Sequence, residues 1–187
     1  TYEDVIEVME EITDETIAHI AGTDEDLEPH DPIFKRFWAR VPWLLVTLFA
    51  GLLNVANMSY FEHVEGSWFV FIFFFVPLIN GMSGNVGLQC STILVRSIAT
   101  GDLSVAGFKT VALKELGTGI FIGLAFGLCS GILVYAVNAF GFYDIGLNPF
   151  PVGLIVASGL LGACLVATTL GIFFPMFFAK RGIDPAV

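Results

Sequence analysis

Four long apolar stretches alternate with short polar segments along this chain. They run from about residue 41 to 60, 67 to 99, 116 to 140 and 150 to 179. As helices, all four can cross the roughly 30 Å hydrocarbon core of a bilayer. Aromatic side chains flank the first stretch, with Trp38 and Trp43 at one end and Tyr60 at the other, as is typical of membrane interfaces. The pattern predicts an all-α polytopic membrane protein whose transmembrane domain, residues 41–187, contains four helices.

The first 40 residues have a different pattern. Val5, Val8 and Ile12 repeat at helical spacing and Gly22 follows, which predicts an amphipathic helix within residues 1–22. Its other faces carry seven carboxylates between Glu3 and Glu15 and no basic residue. They form either a solvated acidic surface or one that binds cations, which would relieve the repulsion among the carboxylates. Residues 23–40 are predicted to be a linker followed by an interfacial segment.

Polar residues interrupt the second apolar stretch, which has no charged residue between Ser67 and Arg96. On a helix, Asn85, Gln89 and Thr92 are spaced i, i+4 and i+7 and share one face. We call these three residues the polar stripe. Glycines nearby would expose backbone carbonyls, and Pro77 is expected to kink the helix or free a carbonyl. The stripe either bonds to other helices or lines a watery path.

Small residues recur at every fourth position in the third and fourth stretches. Such faces let helices approach closely, so we interpret them as packing surfaces. The first is Gly119, Gly123, Gly127 and Gly131, and the second is Gly159, Ala163, Ala167 and Gly171.

Composition and charge support a membrane protein and fix an expected topology. The chain is 56% hydrophobic with a mean hydropathy of +0.81. Of its 18 carboxylates, 12 precede residue 32. All eight Lys and Arg residues lie in segments on one side of the predicted spans, so the positive-inside rule places both ends in the cytoplasm of a multi-pass cell-membrane protein. Because the chain begins at Thr1 without an initiator Met, we expect upstream sequence.

Enzymatic chemistry is not expected. No pairing of nucleophile and base is visible, His19, His30 and His63 are scattered, and Cys90, Cys129 and Cys164 are best explained as small packed side chains. We also expect no nucleic-acid partner.

We call residues 80–92, where polar side chains interrupt the second apolar stretch, the polar insert. The chemistry that fits this insert is the passage of a hydrated cation. No carboxylate lies deep in any predicted span, but amides, hydroxyls and carbonyls can hold Mg²⁺ through its waters, with an acid supplied from elsewhere. The residues predicted to line this pathway are Asn80, Gly84, Asn85, Gly87, Leu88, Gln89 and Thr92.

The segment from Pro77 to Leu103 resembles the signature of the MgtE family of magnesium channels. In that signature a proline leads into a stretch rich in glycine and asparagine, followed by a glutamine, a threonine and an arginine. Residues 39–44, 113–119 and 174–186 resemble the start of the family's first span, the start of its third and the end of its fourth, and residues 10–17 are similar to its acidic cytoplasmic segment. Leu88 departs from the pattern, since some family members have a polar residue there.

The resemblance implies a homodimer with five spans per subunit and a pore on the two-fold axis. The fifth span, with its pore aspartate, would lie beyond Val187, and paired CBS domains would precede Thr1. Magnesium bound between acidic cytoplasmic surfaces would close the pore, which makes Glu10, Glu11, Asp14 and Glu15 candidate regulatory ligands.

We therefore expect a Mg²⁺ channel in the membrane, with selectivity over Mn²⁺ and Co²⁺ left open. The alternatives are a Mg²⁺ exchanger driven by Na⁺ or H⁺, and a membrane scaffold that transports nothing.

Overall fold

The computed structural model describes residues 30–65, 70–99, 107–141 and 148–182, together with the single positions 6, 8 and 27. The described segments are helical and contain no strand. The chain divides near Tyr60 into two units. The candidate regulatory residues Glu10, Glu11, Asp14 and Glu15 lie outside the described residues.

The first unit contains most of helix α1, Ile33–Glu65. At 33 residues the helix is about 50 Å long. It includes the whole first predicted span and extends eight residues before it. Aromatic rings of Phe34 and Trp38 meet edge to face with centroids 6.2 Å apart, and Lys35 forms an ion pair of 2.9 Å with Asp31 just before the helix. These contacts are typical of a helix end at a membrane interface.

The second predicted span is divided in two. Helix α2 covers Val70–Phe73 and helix α3 covers Val76–Ala99. Between them the Phe75 amide donates to the Ile72 carbonyl at 3.0 Å. Pro77 is therefore the second residue of α3, in the first turn, where a helix needs no amide proton. The second stretch is thus interrupted before Pro77, at residues 74–75, and not by a kink at the proline as the sequence predicted.

Helices α4, Phe108–Ala139, and α5, Pro149–Lys180, pack through their glycines. A Cβ added at Gly127 would lie 2.7 Å from the Ala157 carbonyl oxygen, and one at Gly131 would lie 2.9 Å from the Gly153 carbonyl oxygen. Neither site has room for a side chain. The glycine ridge is thus confirmed as a packing surface.

Helix α5 also packs against α3, through the small-residue face that contains Ala167 and Gly171. A Cβ at Gly171 would lie 2.7 Å from the Gly87 carbonyl oxygen, and one at Gly87 would lie 3.3 Å from the Ala167 Cβ. Around these contacts Val86, Leu160 and Cys164 form one buried cluster. A second cluster comprises Val134, Val152 and Val156.

The two buried hydroxyl groups in the described part of the second unit donate hydrogen bonds within their own helices. Thr168, 1% exposed, donates its hydroxyl to the Cys164 carbonyl at 2.8 Å, and Ser130 donates to Phe126 at 2.8 Å. The three cysteines are free thiols. Cys90 and Cys164 are buried, as the packing interpretation predicted, but Cys129 is exposed, so for this residue the interpretation is wrong.

Three described helical stretches are long and apolar enough to cross a membrane: Ile33–Val64, Phe108–Ala139 and Pro149–Lys180. At 24 residues, α3 is about 36 Å long, but its amides, hydroxyls and glycines make it less apolar. The chain is an all-α polytopic membrane protein.

Replacing Gly127 with Ala should destabilise the protein by about 1–3 kcal/mol, because the new methyl group must displace the Ala157 backbone. Gly117→Ala is the matched control: it lies on the same helix with nothing within 4 Å of the added Cβ, so helix propensity should make it neutral or stabilising. Thermal unfolding of the full-length protein in detergent measures both. Equal or higher midpoint temperature for Gly127→Ala would refute the packing interpretation.

Candidate functional site

The polar stripe lies on the face of α3 that points away from α5. Asn85 and Gln89 are exposed and Thr92 is half-buried, whereas Val86, Cys90 and Leu94 are buried (the last at 0% exposure). At 100° per residue these two sets of positions occupy different sides of the helix. The way in which α3 packs against α5 therefore determines the direction in which the Asn85 and Gln89 amides point.

The amides of the stripe have no hydrogen-bond partner among the described residues. Other polar side chains of α3 do: the Ser83 hydroxyl donates to Ile79 at 2.7 Å, the Ser97 hydroxyl to Ile93 at 2.8 Å, and the Cys90 thiol to Thr168 at 3.8 Å. Bonding between helices, the alternative explanation of the stripe, is not observed for Asn85 or Gln89 in these segments. Their hydrogen-bonding capacity remains available to water, an ion or a further protein surface.

The glycines of the polar insert differ in what surrounds them. A Cβ at Gly81 or Gly84 would meet nothing within 4 Å, whereas Gly87 lies against Ala167. Gly84 thus leaves open space beside Asn85. Gly87 serves the contact with α5, and its carbonyl is the atom that Gly171 approaches.

Two other predicted pathway residues lie at different positions around the helix. Leu88 is 54% exposed and borders the stripe, so it adds an apolar surface to that face. Asn80 is exposed, but it lies five positions before Asn85, and a step of five positions turns the helix by about 140°. The structure therefore groups Asn85, Leu88, Gln89 and Thr92 within about 100° of one another around α3. Gly84 and Asn80 lie to one side of this group, and Gly87 faces α5.

The structure adds one carboxylate that the sequence analysis did not single out. Glu115, in the second turn of α4, lies near the Cys90 side chain of α3. It approaches α3 from the buried side, away from the stripe. Within the described segments, no group of three or more His, Cys, Asp or Glu side chains could hold a metal ion. The stripe is thus a surface of neutral oxygens and nitrogens without an acid of its own.

Comparison with known proteins supports the family that the motif suggested. A sequence model described as "Divalent cation transporter", that of the MgtE family, matches residues 76–187, more than half of the chain. The chain belongs to the MgtE family. The match contains the whole of α3, with the polar stripe, as well as α5, which packs against α3, and α4, which packs against α5.

Curated relatives extend the likeness to the entire chain. It is 29% identical over 187 residues to a magnesium transporter MgtE of Bacillus subtilis and 30% identical over 187 residues to one of Enterococcus faecalis. It is 31% identical over 189 residues to one of Thermus thermophilus. All of this chain is covered in each case, but only 39%, 39% and 40% of the respective relative. The chain thus spans about two fifths of the length of these transporters.

Proposed function

We propose that this chain forms part of a homodimeric channel that conducts Mg²⁺ across the cell membrane, with the polar stripe of α3 lining the path. The observation that supports this proposal most strongly is that the Asn85 and Gln89 amides are exposed. They have no hydrogen-bond partner among the described residues. A polar group that faces lipid without a hydrogen bond costs several kcal/mol. An arrangement in which these amides face water is therefore favoured.

Neutral amides suit an ion that keeps its hydration shell. Mg²⁺ loses water reluctantly and is held in proteins through its waters, with one or two carboxylates. Asn85, Gln89 and Thr92 offer oxygens that can bond to such waters, and the space beside Gly84 leaves room for them. The acid would come from another part of the full-length protein. The names of the relatives support Mg²⁺ as the cargo, and Mn²⁺ and Co²⁺ are candidates for the same path.

A second copy of the chain is the proposed partner across the path. The described part of one chain presents the stripe on a single helix face, and a hydrated ion needs polar groups around it. A two-fold axis beside α3 would bring two stripes together, because a symmetric interface uses the same patch on both subunits.

Replacing Asn85 or Gln89 with Leu should lower Mg²⁺ flux about tenfold or more, since a hydrogen bond to a charged group contributes about 1.5–3 kcal/mol. Ser83→Ala is the matched control on the same helix, because that hydroxyl bonds to its own backbone at Ile79. The measurement is Mg²⁺ uptake into liposomes containing equal amounts of folded full-length protein. Normal rates in the folded fraction of both Leu variants would assign the stripe to helix association.

The same liposomes separate the channel from its alternatives. A channel conducts Mg²⁺ down its own gradient, whereas an exchanger needs an imposed Na⁺ or H⁺ gradient, and a scaffold conducts under neither condition. Flux that begins only when a second ion gradient is applied would overturn the channel and favour the exchanger.

The acidic segment is proposed to close the path when internal Mg²⁺ is high. The distribution of Lys and Arg favours a topology with both chain ends in the cytoplasm, and in that topology this segment would meet internal Mg²⁺. A cation bound there would relieve repulsion among the carboxylates and stabilise a compact closed arrangement. Closure requires tighter binding to the closed state than to the open one.

Neutralising Glu10, Glu11, Asp14 and Glu15 with Gln or Asn should raise the internal Mg²⁺ needed for half-closure by about tenfold, within the usual range of coupling between sites. Patch-clamp recording over a range of internal Mg²⁺ measures this. The matched control is Glu62→Gln with Glu65→Gln, on the opposite side in the proposed topology. Identical inhibition curves for the parent and the fourfold variant would remove the segment from gating.

A further inference from the structure

An open apolar groove of about 480 Å³ runs between α4 and α5 at one end of the helix pair. Its volume lies in the range of small-molecule sites. The Thr169 hydroxyl, the one uncharged polar side chain in the lining, already donates to the Leu165 carbonyl at 2.7 Å. The lining residues are Phe108, Ala112, Leu113, Leu116, Thr169, Ile172, Phe173, Met176, Phe177 and Lys180.

Cations gather at one end of this groove. Lys180, the last residue of α5, lines it directly, and the Arg181 guanidinium lies 4.4 Å from the centre of the Phe177 ring. Lys109 is in the first turn of α4, and its spacing of i+4 and i+7 to Leu113 and Leu116 places it on the groove side of that helix. Each of the two helices thus contributes an exposed lysine at the same end.

Carboxylates do not offset this charge among the residues that line the groove. The nearest acid in the described sequence of α4, Glu115, approaches Cys90 of α3 instead. Lys114 is close in sequence but is not part of the lining, because its position on the helix is nearly opposite to the groove. Among the described residues, the site is therefore apolar along its length and basic at its mouth.

We propose that this groove binds one anionic phospholipid, with an acyl chain along the apolar lining and the phosphate between Lys109 and Lys180. The lipid comes from the membrane leaflet that the basic helix ends face. Basic pockets between transmembrane helices bind the head groups of anionic lipids in this way, and long lysine side chains at helix ends reach to the head-group level. The site is separate from the polar stripe, which lies on another helix.

Charge distinguishes this occupant from a polypeptide. An apolar helix has a diameter of about 10–12 Å with its side chains, and docked here it would cover two lysines without offering an anion. An anionic lipid supplies the apolar chain and the negative charge in one molecule. A zwitterionic lipid supplies the chain but leaves the net charge of the lysines uncompensated.

Native mass spectrometry of the full-length protein, with phosphatidylglycerol or phosphatidylcholine added in detergent, tests the site. We expect retained phosphatidylglycerol in the parent. In the variant Lys109→Gln with Lys180→Gln its affinity should fall about fivefold per lysine removed, which is about 1 kcal/mol each. Lys114→Gln is the matched control and should bind as the parent does. Ala112→Phe, which fills the groove and keeps the charges, should also lose the lipid.

A second measurement on the parent alone covers the case in which these variants do not fold. Added phosphatidylglycerol should raise the unfolding temperature more than the same concentration of phosphatidylcholine, since a ligand that binds the folded state stabilises it. Equal stabilisation by the two lipids would overturn the proposal. So would equal retention of phosphatidylglycerol by the parent and the double lysine variant, or a groove in the full-length protein that retains no lipid because another segment fills it.

Discussion

Close backbone contact around α5 is the constraint on which the described membrane fold depends. Where α5 meets α4, Gly131 and Gly153 approach each other's carbonyl oxygens, and where it meets α3, Gly171 approaches the carbonyl of Gly87. In a membrane, helix association relies on such packing, because lipid tails are as apolar as the side chains they replace. A methyl group at Gly131, Gly153 or Gly171 would lie 2.7–2.9 Å from a carbonyl oxygen of the facing helix, so the backbones there would have to move apart. The contacts thereby fix the rotation of α3 about its own axis.

The rotation of α3 about its own axis determines where the amides of the polar stripe point. With Val86, Cys90 and Leu94 buried on the side of α3 that packs against α5, Asn85 and Gln89 point away from that helix. An amide that faces lipid without a hydrogen-bond partner raises the free energy of the folded protein. The position of Asn85 and Gln89 therefore favours an arrangement in which water and a second protein surface lie next to this face of α3. The segment matched to the MgtE family contains this helix. The groove proposed to bind lipid lies between α4 and α5, away from the polar stripe.

Much of this arrangement could be predicted from the sequence because it depends on local periodicity. The apolar stretches, the glycine ridge of α4 and the i, i+4, i+7 spacing of the stripe follow from helix geometry alone. The contacts between helices could not be predicted in the same way. Spacing did not distinguish Gly87, which packs against Ala167, from Gly84, which is open. Nor did it indicate that Glu115 approaches Cys90, since that contact depends on how α3 and α4 are placed around α5.

The central claim is that Asn85 faces a water-filled ion path, and cysteine modification during Mg²⁺ flux tests it most directly. Full-length Asn85→Cys protein in liposomes would be treated with a positively charged thiol reagent that does not cross membranes. Val86→Cys, the adjacent buried position, is the matched control, and the full-length parent with its native cysteines gives the baseline. The account predicts that the reagent stops most flux through Asn85→Cys and leaves Val86→Cys unchanged. Full flux through modified Asn85→Cys, or equal inhibition of both variants, would contradict it.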